Sequence, residues 1–146
     1  MTLTEIGRLR GLAYISTATV TFTVGQIDTL AKLAEASNAD RELTGVLVYR
    51  DRQFLQYLEG PGDALEDLYQ RLLADDRHEI QGRLDIAVPN RRFTDWGMRL
   101  LDPAWMPTVS GFDALHDLLR LQGHSNDAYA SVAAGEILDE LAVATR

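Results

Sequence analysis

No cysteine occurs among the 146 residues. That absence excludes disulfides, thiolate nucleophiles, thiolate metal sites and any cofactor chemistry that needs a cysteinyl adduct. Positive charge is also in short supply, with 14 Lys and Arg against 22 Asp and Glu, a net charge of −8. Such a balance disfavours nonspecific attraction to phosphate backbones or anionic membranes, so neither nucleic acid nor membrane is an expected partner. The three histidines, His78, His116 and His124, lack the close helical pairing of a metal site, and no metal is expected. The longest apolar runs fall far short of a membrane span. The start, MTLTEIGRLRG, has no apolar signal-peptide core, which makes the cytoplasm the expected compartment. Internal repeats, low-complexity tracts, a Walker loop and a GxGxxG fingerprint are missing too.

What is present is an ordinary globular composition, 46% hydrophobic and 25% charged, in a chain long enough for one domain with a real core and a small appended element. RLRGLAYIS reads as a strand with Leu12 and Tyr14 on one face and Ala13 and Ile15 on the other. Thr23 with Gln26 forms a capping box for a helix whose stripe runs Ile27, Leu30, Ala31, Ala34 and on to Asn38. Asn38 there reads equally as a left-handed C-terminal cap or as a ligand contact. LTGVLVYRDRQFLQYLEG supplies a hairpin turning near Arg50 and Asp51, without the glycine such a turn favours. After Gly60 and Pro61, Asp63 opens a second helix with Leu65, Leu68, Tyr69, Leu72 and Leu73 inward. It closes in the charged run Asp75 to His78, and a further strand is predicted around RLDIAVP.

Strand, helix, strand, strand, helix, strand is the order of a ferredoxin-like α+β fold, a βαββαβ antiparallel sheet with two helices on one face. Its first and third strands lie side by side in the middle, which makes Tyr14 and Gln56 neighbours. Gln56 is the unexpected residue of RQFLQYLEG, an amide on a strand apolar on both faces. A buried primary amide must satisfy two donors and an acceptor, and a phenol is a competent partner. Beyond residue 102 the chain changes character. Two amphipathic stretches, one with Leu115, Leu118 and Leu119 and one with Val132, Ile137, Leu138 and Leu141, predict a C-terminal helical extension over 103–146. That extension is expected to cap a sheet face or support a homo-oligomer.

Five segments then meet a family in order: YIS at Tyr14, NADRELTGVLVY at Asn38, RQFLQYLEGP at Gln56, DDRH at His78 and RRFTDWGM at Trp96. From about Leu9 to Leu101 the chain resembles a BLUF domain, a flavin-based blue-light sensor module, which suggests a division into residues 1–102 and the extension. The resemblance implies a noncovalent flavin, FAD or in its place FMN or riboflavin, between the two helices and the sheet. Tyr14 matches the photochemical tyrosine and Gln56 the glutamine beside the flavin. Asn38, Arg77 and His78 match cofactor-holding positions, and Trp96 and Met98 match residues that report the photoreaction. Gly97 stands where serine is frequent. The resemblance is to the short BLUF proteins, which implies a non-enzymatic sensor whose output passes to a separate protein partner or through self-assembly. Two rival readings stand beside it, a flavin-free ferredoxin-like regulatory module and a small flavin oxidoreductase. No acid–base constellation in the sequence favours the second.

Overall fold

A computed structural model describes residues 9–94, 97–101, 112–122 and 128–144. Strand β1 spans Leu9–Ala18, helix α1 Val24–Ala39, β2 Thr44–Arg50, β3 Gln53–Pro61, α2 Gly62–Ala74, β4 His78–Ile86 and β5 Arg99–Leu101. Helices α3, Phe112–Gln122, and α4, Ala128–Ala144, follow. The sheet order is β4-β1-β3-β2-β5. Its first four strands are the expected antiparallel set, and β5 adds a strand that pairs parallel to β2. The predicted four-stranded sheet is thus a five-stranded mixed one.

Alternation along the strands divides the core into two layers. Leu12, Tyr14, Phe54 and Leu58 face α1 and α2, whereas Ala13, Ile15, Leu55 and Tyr57 face the other way, onto α3 and α4. The buried stripe on the last helix is Ala130, Ala134, Leu138 and Leu141. Val132, predicted to face inward, is 64% exposed, because the small alanines set the contact face and rotate it to the other side. The predicted boundary at residue 102 falls outside the described residues, as does Gly123.

Helix α1 begins in the expected capping box: Gln26 N donates to Thr23 Oγ1 at 3.1 Å and Thr23 N to Gln26 Oε1 at 2.8 Å. It ends differently. Asp40 is the C-terminal cap, with right-handed φ of −66°, so Asn38 is the last inward residue of the helix and not its cap. Helix α2 starts one residue before Asp63 and stops at Ala74.

Strand β4 starts at His78, earlier than RLDIAVP suggests, and contains a bulge. Its pairing with β1 steps from Ile15↔Gly82 to Ser16↔Ile80, which leaves Gln81 as the extra residue. The bulge reverses the phase of the strand. His78 and Ile80 therefore face α1 and α2, whereas Leu84 and Ile86 face α3 and α4.

Candidate functional site

Tyr14 and Gln56 are directly opposed on the two central strands. Both are buried, 3% and 6% exposed. The Tyr14 hydroxyl donates to Gln56 Oε1 in a short hydrogen bond, and Gln56 Nε2 donates to Met98 Sδ at 3.6 Å. Both ends of the amide are thereby answered. The second N–H of Nε2 has no acceptor among the described residues.

The two side chains line a cavity of about 120 Å³ between α1, α2 and the sheet, with Phe22, Leu30, Leu47 and Phe54 as apolar walls. Phe54 lies against Phe22 and His78 at ring separations of 5.5 and 6.1 Å. A second pocket of about 520 Å³ shares Phe22, Leu30 and Arg77 with it and continues over Thr21, Thr23 and Thr29. An inner slot with aromatic walls beside a wider, hydroxyl-rich mouth fits a flat ring with a polar tail. The spare donor on Gln56 fits a ring acceptor.

Burial raises the Tyr14 pKa well above that of a free phenol, and the charges of Asp75 and Tyr69 add to the effect. Tyr14 therefore remains a neutral hydrogen-bond donor across the physiological range. Gln56 Oε1 is the acceptor in place.

His78 sits in the cavity wall with both ring nitrogens occupied. Its Nε2 contacts the Leu72 carbonyl at 2.8 Å and its Nδ1 the Ser16 hydroxyl at 2.7 Å. A carbonyl can only accept, so Nε2 carries the proton and Nδ1 accepts from serine. The ring thus ties the C-terminal end of α2 to β1. Arg77 binds Asp75 through Nε at 2.9 Å and Nη2 at 2.7 Å. Those bonds hold the Asp75 carboxyl down at about 2.

Asn38, 2% exposed, is not among the residues lining the inner cavity. Its Nδ2 donates to the Gly97 carbonyl at 2.9 Å, which fastens the end of α1 to the segment carrying Met98. Met98 is buried just before β5 and beside Gln56. Trp96 lies outside the described residues. The structure thus brings together Tyr14, Gln56, Met98, Arg77 and His78, with Asn38 behind the Met98 segment.

Sequence reasoning missed Ser16 and Asp75 at this site. Ser16 is legible in retrospect, two residues from Tyr14 on the same face. It also missed Glu59 on the opposite face of β3. Glu59 is fully buried and accepts from Tyr57 OH at 2.8 Å and from Phe93 N at 2.6 Å.

An α+β domain with a phenol and an amide paired in a slot with aromatic walls defines a receptor for a flat-ring cofactor, one whose reactive groups are all protein hydrogen-bond partners. Comparison with known proteins gives that class its family. Residues 9–99 match the family model BLUF, sensors of blue-light using FAD, and the chain belongs to that family. The matched region is a flavin-binding blue-light sensor module and not an enzyme. Among relatives, the chain is 34% identical over 80 residues to the blue light- and temperature-regulated antirepressor BluF of Escherichia coli (strain K12), covering 54% of this chain and 20% of that protein. It is 39% identical over 113 residues to photoactivated adenylate cyclase subunit beta of Euglena gracilis, covering 76% of this chain and 13% of that protein. The chain thus spans a fifth or less of the length of these two relatives. The dark-state structure of the BLUF protein BlrB superposes with a TM-score of 0.70 at 26% identity, covering 94% of this chain and 97% of that one. No helix among the described residues is long and apolar enough to cross a membrane.

Proposed function

We propose that Tyr14 is the light-driven electron and proton donor of this sensor and that Gln56 is the switch. The observation that carries the proposal is the continuous chain from Tyr14 OH to Gln56 Oε1 and from Gln56 Nε2 to Met98 Sδ. FAD, the cofactor in the family description, is the proposed flavin. The outer pocket beyond Phe22 gives room for its tail. Arg77, His78 and Asn38 would hold it through the walls they build: Arg77 at the mouth, His78 bracing α2 against β1, and Asn38 fixing the end of α1. When bound, the flavin absorbs blue light and becomes a strong oxidant.

The residues of the chain supply the rest. Tyr14 releases its electron together with the phenolic proton, which passes along the existing hydrogen bond to Gln56 Oε1. Glutamine suits this position because its two ends have opposite hydrogen-bonding character, so rotation or tautomerisation rewires both contacts at once. Leucine at 56 would offer nothing and ionised glutamate only acceptors. When electron and proton return to Tyr14, a rearranged amide can persist, and its altered bonding to the ring is the stored signal. Met98, in contact with that amide, and Trp96 are proposed to carry the change onward.

Output is proposed to pass to a separate protein partner or through self-assembly, with residues 103–146 as the extension that mediates it. The exposed Val132 and Val143 on α4, 64% and 63% accessible, support that role. Purified cytoplasmic protein should be yellow, and its absorption should shift reversibly to the red under blue light. Gln56→Leu keeps approximate volume, so flavin binding should survive while the shift disappears. A normal reversible shift in the yellow Gln56→Leu protein would refute the assignment.

A further inference from the structure

Gly97 has an unusual neighbour. A Cβ built on it would lie 2.5 Å from the backbone carbonyl oxygen of Glu35 and 3.2 Å from that carbonyl carbon. Neither atom belongs to a flexible side chain, so any residue other than glycine must push the segment away from α1. The same residue is held from the same helix by a second contact, since its carbonyl accepts from Asn38 Nδ2 at 2.9 Å. One residue further on, Met98 is 2% exposed and presents its sulfur to Gln56 Nε2 at 3.6 Å.

These three observations describe one construction. The segment lies on the backbone of α1 because Gly97 has no side chain, and the register so fixed brings Met98 to the switching amide. We infer that Gly97 is a positioning residue of the photoswitch, setting the Met98 to Gln56 contact through its side-chain-free packing on Glu35. The inference rests on the assignment of Gln56 as the switch. It follows that serine, frequent at this position in the family, would not be a neutral replacement here. A side chain at 97 would move Met98 off the amide and leave the dark arrangement of Gln56 without one of its two protein bonds. The Met98 bond re-forms as Gln56 returns to its dark arrangement, and its loss raises the barrier to recovery by the part of that bond already made in the transition state, so recovery slows.

Two measurements on the flavin-loaded protein test this. In the first, methionine ε-methyl groups are labelled with ¹³C, and dark-state NMR of the unaltered protein is expected to show the Met98 methyl in contact with the Gln56 side-chain amide and the Gly97 Hα protons in contact with Glu35. Absence of either contact overturns the inference, whatever the variants do. In the second, Gly97→Ala, Met98→Leu and the double variant are compared for dark recovery after a blue flash. Gly97→Ala should shift the Met98 methyl line and slow recovery roughly three- to tenfold, the range expected from losing one modest hydrogen bond. The double variant should recover no more slowly than Met98→Leu alone, because the two residues act on one contact. An unshifted methyl line with parental recovery overturns the inference, as do effects that multiply in the double variant. If the unaltered protein shows no reversible shift, it is the switch assignment that fails, while the dark-state NMR contacts still decide the placement of Gly97.

Discussion

Replacing Glu59 by glutamine changes one atom type in the core and should be disproportionately costly. The carboxylate is fully buried and faces two donors, the Phe93 amide at 2.6 Å and the Tyr57 hydroxyl at 2.8 Å. Tyr57 cannot easily turn its hydrogen elsewhere, because Arg92 Nη1 already donates to the same oxygen at 3.0 Å. An amide offers one acceptor and one donor. If Gln Oε1 takes the Phe93 N–H, the amide N–H₂ meets Tyr57 and the phenolic proton is left without an acceptor. One orphaned buried donor costs about 1–3 kcal/mol, and the charge-assisted character of both bonds is lost as well, so we expect about 2 kcal/mol. For a chain of this length that corresponds to a fall in Tm of roughly 6 °C. Thermal and urea unfolding of the dark protein, followed by circular dichroism, measures it. Glu66→Gln is the control at the surface, since the Glu66 carboxylate also accepts hydrogen bonds, here from Arg83, but its side chain is 56% exposed and the change should cost less than about 0.5 kcal/mol. If Glu59→Gln proves no more damaging than Glu66→Gln, the two-donor argument is wrong.

At the hairpin turn, Asp51 and Arg52 have φ of 52° and 65°. Asn-Gly is the pair such a turn favours, so Asp51→Asn with Arg52→Gly should stabilise the protein by about 1 kcal/mol in urea unfolding. Alkali should destabilise the protein through Tyr14 and Tyr57, whose pKa values burial raises above the ordinary 10.0. The folded state then keeps protons that the unfolded chain releases, so their stabilisation is full below pH 10 and is lost as pH rises through the folded values. Each contributes a slope of about 1.4 kcal/mol per pH unit, and Tyr14→Phe should remove its share. Asp75 works in the opposite sense. Its pKa is lowered from 3.8 to about 2, so its stabilisation is present above pH 3.8 and lost as pH falls through about 2. Asp75→Asn should flatten that acid limb in a titration of stability.

The legible parts of this fold were those governed by a single period. Leu12 and Tyr14 against Ala13 and Ile15, or Phe54, Gln56 and Leu58 against Leu55 and Tyr57, alternate without interruption, and the structure places each set on the face expected. The capping box at Thr23 and Gln26 was local and therefore visible. Strand β4 was shortened in the reading because the bulge at Gln81 reverses its phase, so no single alternation runs from His78 to Ile86. Strand β5 escaped because three residues carry no period at all, and its parallel pairing with β2 is set by packing far away in sequence. At the site, the pairing of Tyr14 with Gln56 followed from topology. The engagement of Asn38 with Gly97, and of His78 with Ser16 and Leu72, depends on tertiary approach between segments 6 to 62 residues apart. No local pattern encodes such an approach.

Strand β3 carries more than the proposed switch. Gln56 points toward α1 and α2, and the next residue, Tyr57, points toward α3 and α4. The Tyr57 hydroxyl is held between Glu59 and Arg92, and Arg92 Nε reaches Asp139 on α4 at 2.6 Å. The guanidinium has room to do so because α4 has a glycine at 135, where a Cβ would come within 3.1 Å of Arg92 Nη2. The polar line from the central strand to the last helix therefore starts one residue from Gln56, the proposed switch. Apolar contacts in a core tolerate small slides with little change in energy, whereas hydrogen bonds to charged groups are sensitive to both distance and angle. A displacement of β3 caused by rearrangement at Gln56 would thus alter the Tyr57 to Arg92 geometry before the leucine and alanine packing under α4 had to change. On the sensor side the side-chain hydrogen bonds of Gln56 among the described residues are to the sulfur of Met98 and from the phenol of Tyr14, contacts that can be exchanged cheaply. If Gln56 is the switch as proposed, the polar groups on the two faces suit different tasks, a soft pair where bonding would change and a charge-assisted set where the change would be felt.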